Sequence, residues 1–325
     1  VRVGRDGLAP ALSGNEGVHS VVVGGGTSVL ISREIAGARP PMVVVDGREL
    51  ATLVDHSERP AVDLSVTFHR CGEHRLATAL VLPNGHNGSP LPVLMDPYGG
   101  PHAQRVQQAA GLYYASQWFA DQGFAVVITD GRGTPGRGPA FERAVRGDLA
   151  APVLADQIDA LHALAVDHPF LDLGRVAIRG WSFGGDLAAL AVLRRPDVFH
   201  AAIAGAPVTD WRLYDTHYTE RYLGHPVTDA EAYERTDLTP LADRLQRPLM
   251  LIHGLADDNV VAAHTFQLSR ALLEAGRPHQ VLPLSGVSHM TPQESVAENL
   301  LKLQVSFLET SLGIRPDSED LAGDE

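Results

Sequence analysis

Gly180-Trp181-Ser182-Phe183-Gly184 sets a serine between glycines, after the apolar run Val176-Ala177-Ile178 and before a helix-like segment from Gly185 to Arg194. A serine hydroxyl becomes a useful nucleophile when a sharp strand-to-helix turn lifts it clear of a sheet, beside a base that takes its proton and donors that hold a developing oxyanion. The flanking glycines allow that turn without a Cβ clash. The chemistry to expect is attack on a carbonyl carbon. It requires an acid and a histidine later in the chain, each on a loop that follows a strand. Both are present. The buried-strand pattern from Pro248 to His253 runs into Gly254-Leu255-Ala256-Asp257-Asp258-Asn259, with Asp257 as the acid and Asp258 as the alternative. The apolar run Val281-Leu282-Pro283-Leu284 runs into Ser285-Gly286-Val287-Ser288-His289, with His289 as the general base. Of the 15 histidines, chain order and placement at a strand end select this one.

The elements that must position these groups are legible as periodicities. Thr291-Pro292-Gln293-Glu294 reads as a capping box with proline at the first helical position, so a helix is expected just beyond His289. Val296, Leu300, Leu303 and Phe307 recur at helical spacing and predict its buried face. Val260 to Ala275 reads as a further helix, stopped by Gly276-Arg277-Pro278. A helix after Pro152 places Leu154, Ile158, Leu161 and Ala165 on one face, and Ala115 to Asp121 is helical. Strands are expected at Val62 to Phe68, Ala77 to Leu82, Pro92 to Met95 and Phe124 to Thr129. Strands alternating with helices imply a mostly parallel sheet covered on both faces. Residues 1–60 differ: short runs at Ser20 to Val23, Thr27 to Ile31 and Met42 to Val45, with Asp46-Gly47 as a hairpin signature, predict a few antiparallel strands left over from a larger β domain. The division expected is therefore a β-rich segment 1–60, an α/β domain 61–312 and an acidic, disordered tail 313–325.

With 26 Lys and Arg against 39 Asp and Glu, the net charge of −13 argues against a nucleic-acid partner. The single cysteine, Cys71, excludes an intrachain disulfide and makes a reduced cytoplasm the default expectation. No signal peptide, membrane-spanning run or lipidation motif is read from the sequence. Gly131-Arg132-Gly133-Thr134-Pro135-Gly136 fits a dinucleotide fingerprint on paper. It does not open a helix at once and lies deep in the chain, so it is read as a loop near the site. With no Walker loop, H-E-x-x-H or paired cysteines, neither cofactor nor metal is expected. Tyr98-Gly99-Gly100-Pro101, after the strand ending at Met95, is either a second oxyanion donor or a glycine-proline turn with a packed tyrosine. Tyr214, Tyr218 and Tyr222, spaced by four, are equally consistent with the packed face of an amphipathic helix.

Together with Asp130-Gly131-Arg132-Gly133-Thr134, Ala206-Pro207-Val208-Thr209-Asp210-Trp211, Tyr214-Asp215-Thr216-His217-Tyr218-Thr219-Glu220-Arg221-Tyr222-Leu223-Gly224 and His253-Gly254-Leu255-Ala256-Asp257-Asp258-Asn259-Val260, these motifs resemble the catalytic domain of the prolyl oligopeptidase family, within it the dipeptidyl peptidase IV subfamily. The resemblance covers roughly residues 61–312 and implies an α/β-hydrolase fold preceded by the last strands of a β-propeller. It implies a serine peptidase acting after proline or alanine, with Ser182 as nucleophile, His289 as base and Asp257 orienting it. The oxyanion donors it implies are the Phe183 amide and the Tyr98 hydroxyl. The first specificity pocket it implies is an aromatic box of Phe183, Val208, Trp211, Tyr214, Tyr218 and Val260, with Trp181 a further substrate-binding residue and Asn259 binding the preceding substrate carbonyl. The partner is then a peptide, and a homodimer is implied by resemblance alone. The family's propeller carries paired glutamates for the substrate's free amine, and residues 1–60 would supply at most its end. Asp186 stands where the family tends to have a larger or apolar residue. A promiscuous esterase, an acylaminoacyl or oligopeptidase-type hydrolase, and a catalytically silent binding module are the rival readings.

Overall fold

The computed structural model describes residues 16–38, 42–45, 48–54, 56–58 and 60–314. The N-terminal strands β1 (Val18–Gly24), β2 (Thr27–Glu34), β3 (Gly37–Ala38), β4 (Met42–Val45) and β5 (Arg48–Thr52) form one antiparallel sheet in the order β1-β2-β4-β5, with β3 on β2. β4 and β5 pair with Val45 opposite Arg48; the expected turn residues Asp46-Gly47 lie outside the described residues, as does the expected disorder beyond Ile314.

The second sheet begins with an antiparallel hairpin, β6 (Val66–Cys71) and β7 (Leu76–Val81). Then come β8 (Leu91–Met95), α1 (Tyr114–Asp121), β9 (Ala125–Asp130), α2 (Pro139–Arg143), α3 (Ala151–Asp167), β10 (Leu171–Trp181), α4 (Phe183–Arg194), β11 (Ala201–Gly205), α5 (Thr216–Leu223), α6 (Ala230–Thr236), β12 (Leu249–Gly254), α7 (Ala263–Glu274), β13 (Gln280–Leu284) and α8 (Glu294–Leu312). The order is β13-β12-β11-β10-β8-β9-β7-β6, parallel from β13 to β9 and antiparallel at the β7 and β6 edge. This is the expected mostly parallel sheet. Its inner strands are mainly apolar because both faces are covered. Ala202, Ala204, Leu249 and Leu251 pack with α3 and α4 on one side. The alternate residues Ala201, Ile203, Met250 and Ile252 pack with α1 and α8 on the other. β10 lies inside the sheet, so the segment that follows it opens above the core.

Several expected boundaries move. The first strand of the second sheet starts at Val66 rather than Val62, which is exposed. α7 starts at Ala263 rather than Val260, because the Asp257 carboxylate accepts the amides of Asn259 and Val260 and holds the chain in a turn. The helix ends as expected: Gly276 sits at φ +67°, and Arg277 N–H to Leu272 O at 2.8 Å with Gly276 N–H to Leu273 O at 3.0 Å closes a Schellman motif. The capping box at Thr291 does not form. α8 begins at Glu294 with Gln293 at the N-cap and no side-chain cap. Leu300 and Phe307 are buried, but Leu303 is 50% exposed; the buried face is carried instead by Gln304, Val305, Leu308 and Leu312. No helix among the described residues is long and apolar enough to cross a membrane.

Candidate active site

Ser182 occupies the turn between β10 and α4 at φ 60° and ψ −118°. A β-carbon makes that conformation costly, by about 1–3 kcal/mol. It is tolerated because the surroundings over-determine it: the Ser182 amide donates to Gly205 O at 2.8 Å and Ser182 O accepts from Asp186 N–H at 3.0 Å. Strand and helix also approach so closely that a β-carbon on Gly180 would strike the Gly184 backbone. Phe183 is the first residue of α4, where the backbone N–H has no acceptor within the helix and the dipole is positive.

Asp257 and His289 stand on the loops after β12 and β13. His289 Nδ1 lies 2.7 Å from Asp257 Oδ2, while Asp257 Oδ1 accepts the amides of Asn259 at 3.0 Å and Val260 at 2.9 Å. Asp257 is buried and Asp258 is exposed, so of the two alternatives the contact is made by Asp257. A carboxylate bonded in this way keeps Nδ1 protonated and leaves Nε2 bare in the neutral ring. Trp181 Nε1–H donates to His289 O at 2.7 Å, tying the histidine loop to the residue before Ser182.

Ser182 and His289 line one cavity of about 530 Å³ together with Tyr98, Trp181, Phe183, Val208, Trp211, Tyr214, Tyr218 and Asn259. Its wall is a continuous aromatic chain: Phe183 to Trp211 at 5.7 Å, Trp211 stacked on Tyr218 at 5.8 Å and 16°, and Tyr214 edge-on to both. Ring pairs of this kind are worth about 0.5–1.5 kcal/mol each beyond area burial. They make the wall rigid. Their polar tips are held: Tyr214 O–H donates to Asn259 Oδ1 at 3.3 Å and Tyr218 O–H to Pro101 O at 3.4 Å. The Tyr98 ring sits 5.8 Å from Phe183, and burial, then its neighbours Tyr214 and Tyr222, push its phenol up to about 12. It therefore remains a proton donor throughout the neutral and moderately alkaline range.

Val260 departs from expectation. It is fully buried and absent from the cavity wall, because its amide and carbonyl are taken by Asp257 and His253. Four residues that were not anticipated join the lining: His102, Asp215, His217 and Met290. Met290 and Asp215 adjoin residues already singled out, so proximity in sequence was an available signal. His102 had none. It sits at φ 85° beside the Tyr218 ring. The Gly131–Gly136 segment is a loop whose Arg132 grips the buried Asp156 through Nε and the backbone amide.

Asp186, one turn beyond Ser182, is 2% exposed and its Oδ1 has no partner among the described residues. Burial raises its pKa well above 3.8, opposed only by the distant charge of Arg194. A carboxyl with a higher pKa folded than unfolded makes the folded state bind more protons. Stability is then fully present below about 3.9 and falls as pH rises towards the folded value. Asp186→Asn, which cannot ionise, should melt above the parent by about 2–4 °C per kcal/mol at pH 8 and by less at pH 5. Calorimetry at the two pH values checks it, and a pH-independent difference refutes it.

The family profile described as "Prolyl oligopeptidase family" matches residues 111–315. Dipeptidyl peptidase 8 from Mus musculus is 38% identical over 235 residues, 70% of this chain and 26% of that protein. The human prolyl endopeptidase FAP is 34% identical over 201 residues, 61% of this chain and 26% of that protein. The crystal structure of Porphyromonas gingivalis dipeptidyl peptidase 4 superposes with a TM-score of 0.88 at 28% identity, over 95% of this chain and 46% of the other. The chain thus spans about a quarter of the length of the curated relatives it matches. With the profile covering more than half its residues, this chain belongs to the prolyl oligopeptidase family.

Proposed function

We propose that the chain is the catalytic part of a serine peptidase that cleaves after proline or alanine and, within a longer protein, releases N-terminal dipeptides. The observation that carries this reading is the 2.7 Å contact of His289 Nδ1 with Asp257 Oδ2, on a wall shared with the strained Ser182. Ser182 Oγ attacks the peptide carbonyl as His289 Nε2 takes its proton. The C–N bond breaks as that proton passes to the leaving amine, and water then repeats the sequence on the acyl-enzyme. The Phe183 amide and the Tyr98 hydroxyl face the developing oxyanion. The box of Phe183, Trp211, Tyr214 and Tyr218 suits a small or cyclic side chain, since rigid rings select by shape. Asn259, whose Oδ1 accepts from Tyr214 O–H, donates its amide to the preceding substrate carbonyl. The N-terminal sheet is the end of a β-propeller. The names of the relatives, dipeptidyl peptidases and a prolyl endopeptidase, support the substrate class.

The test compares Gly-Pro-p-nitroanilide with its N-blocked form, cut by this chain and by a version extended with an N-terminal β domain. Cutting of the free-amine substrate alone, by the longer form, is the expected result. Equal cutting of both by this chain would instead make it an endopeptidase or general acyl hydrolase. Tyr98→Phe should lower kcat about 100-fold with KM within a few-fold, the cost of one oxyanion donor, about 3 kcal/mol. A Tyr98→Phe enzyme with parental kcat would return Tyr98 to a packing role.

A further inference from the structure

β12 is apolar except at one position. Leu249, Met250, Leu251 and Ile252 pack into the sheet, and His253 beside them is 0% exposed. A buried imidazole is costly unless both nitrogens find partners, and here both do. Nε2 lies 2.7 Å from Val260 O, and Nδ1 lies 2.7 Å from Thr265 Oγ1 on α7. A carbonyl only accepts, so Nε2 carries the hydrogen. Burial holds the ring below its ordinary pKa, with the Val260 bond and Asp257 pulling the other way and His289 adding to the depression. The neutral ring then has a bare Nδ1, which accepts the Thr265 hydroxyl proton. His264, equally buried, is pushed down to about 4 by burial and by His253, so no second cation stands beside the ring.

Val260 is thereby held at both its polar atoms, its carbonyl by His253 and its amide by Asp257 Oδ1 at 2.9 Å. The same Nε2–H lies 3.6 Å from Asp257 Oδ2, the oxygen that faces His289. Thr265 donates to His253 and His253 to the Val260 carbonyl, while the Val260 N–H, in the preceding peptide group, donates to the carboxylate, so the residue is pinned on both sides of its Cα. We propose that His253 is a positioning residue for the Asp257–His289 pair, locked as the Nε2–H tautomer by the Val260 carbonyl and held at Nδ1 by Thr265. It acts by fixing the loop that aims the Asp257 carboxylate at His289 Nδ1. This rests on the reading of Ser182, Asp257 and His289 as a triad. A leucine in its place would satisfy packing but leave the loop free to rotate the carboxylate.

The experiment follows covalent labelling by a fluorophosphonate probe against pH, with maximal rate and half-saturation separated. His253→Leu should lower the maximal rate about 10–100-fold with half-saturation within about 3-fold, since a misaimed acid weakens transfer to His289 and not binding. Its acid limb should move down by about half a pH unit or more, because a displaced carboxylate stabilises the imidazolium less. His253→Gln, whose amide can donate to Val260 O, should recover most of the rate and the parental limb. Thr265→Val keeps the fold of α7 but leaves Nδ1 without its partner, so the ring is held at one end only and the variant should label about 3-fold more slowly with a limb moved the same way. That variant decides the matter if His253→Leu loses its circular dichroism. Parental rates and an unmoved limb in Thr265→Val and in any folded His253→Leu overturn the proposal. A parent chain that takes no label, or a Ser182→Ala chain that does, overturns the triad reading instead and is seen before any His253 variant is compared.

Discussion

Ser182→Ala is expected to lower kcat/KM for Gly-Pro-p-nitroanilide by roughly five orders of magnitude or more, since loss of the nucleophile leaves only binding and oxyanion stabilisation. Stability should hardly change, because alanine inherits the same φ of 60° and the same backbone bonds. Ser182→Gly separates chemistry from strain. It is equally inactive, yet glycine adopts this conformation freely and should raise the unfolding free energy by about 1 kcal/mol. The check is a kinetic assay on the form that cuts the substrate, with denaturant unfolding of all three proteins. Turnover surviving in Ser182→Ala would remove Ser182 from the mechanism, and a glycine variant no more stable than the alanine one would show that the turn stores no strain.

Asp257→Asn is expected to cost about 10⁴-fold in kcat. The reason lies in how the carboxylate is used. Oδ1 is committed to the amides of Asn259 and Val260, so an asparagine must turn its carbonyl that way and present its NH2 to His289. Nδ1 must then accept, the hydrogen moves to Nε2, and the imidazole can no longer take the serine proton. Asp258→Asn, at an exposed position, should change kcat less than about 2-fold, as surface substitutions away from such networks generally do. The two variants measured side by side settle which aspartate acts; comparable losses in both would contradict the geometry.

The strand and helix alternation was legible because parallel strands buried on both faces hold continuous apolar runs, as at Leu91–Met95 of β8, Ala125–Ile128 of β9, Val176–Ile178 of β10 and Leu249–Ile252 of β12. Boundaries were less so. The start of α7 depends on where the Asp257 carboxylate finds its amides, and the face of α8 depends on which side the sheet stands. Leu303 fits the periodicity as well as Leu300 does, yet it points to solvent.

The sequence by itself determined the order of the reactive groups: Ser182 at a strand-to-helix turn flanked by glycines, then an aspartate and a histidine at the ends of later strands. Those are local facts of composition and spacing. Only the tertiary structure decided between Asp257 and Asp258, since the choice turns on a contact across 32 residues. It alone tied Trp181 to the His289 carbonyl across 108 residues, brought His102 to the pocket, withdrew Val260 from it, and gave buried His253 its two partners. Sequence patterns encode backbone preference and burial, whereas the aim of a side chain is set by neighbours that chain folding supplies from far away.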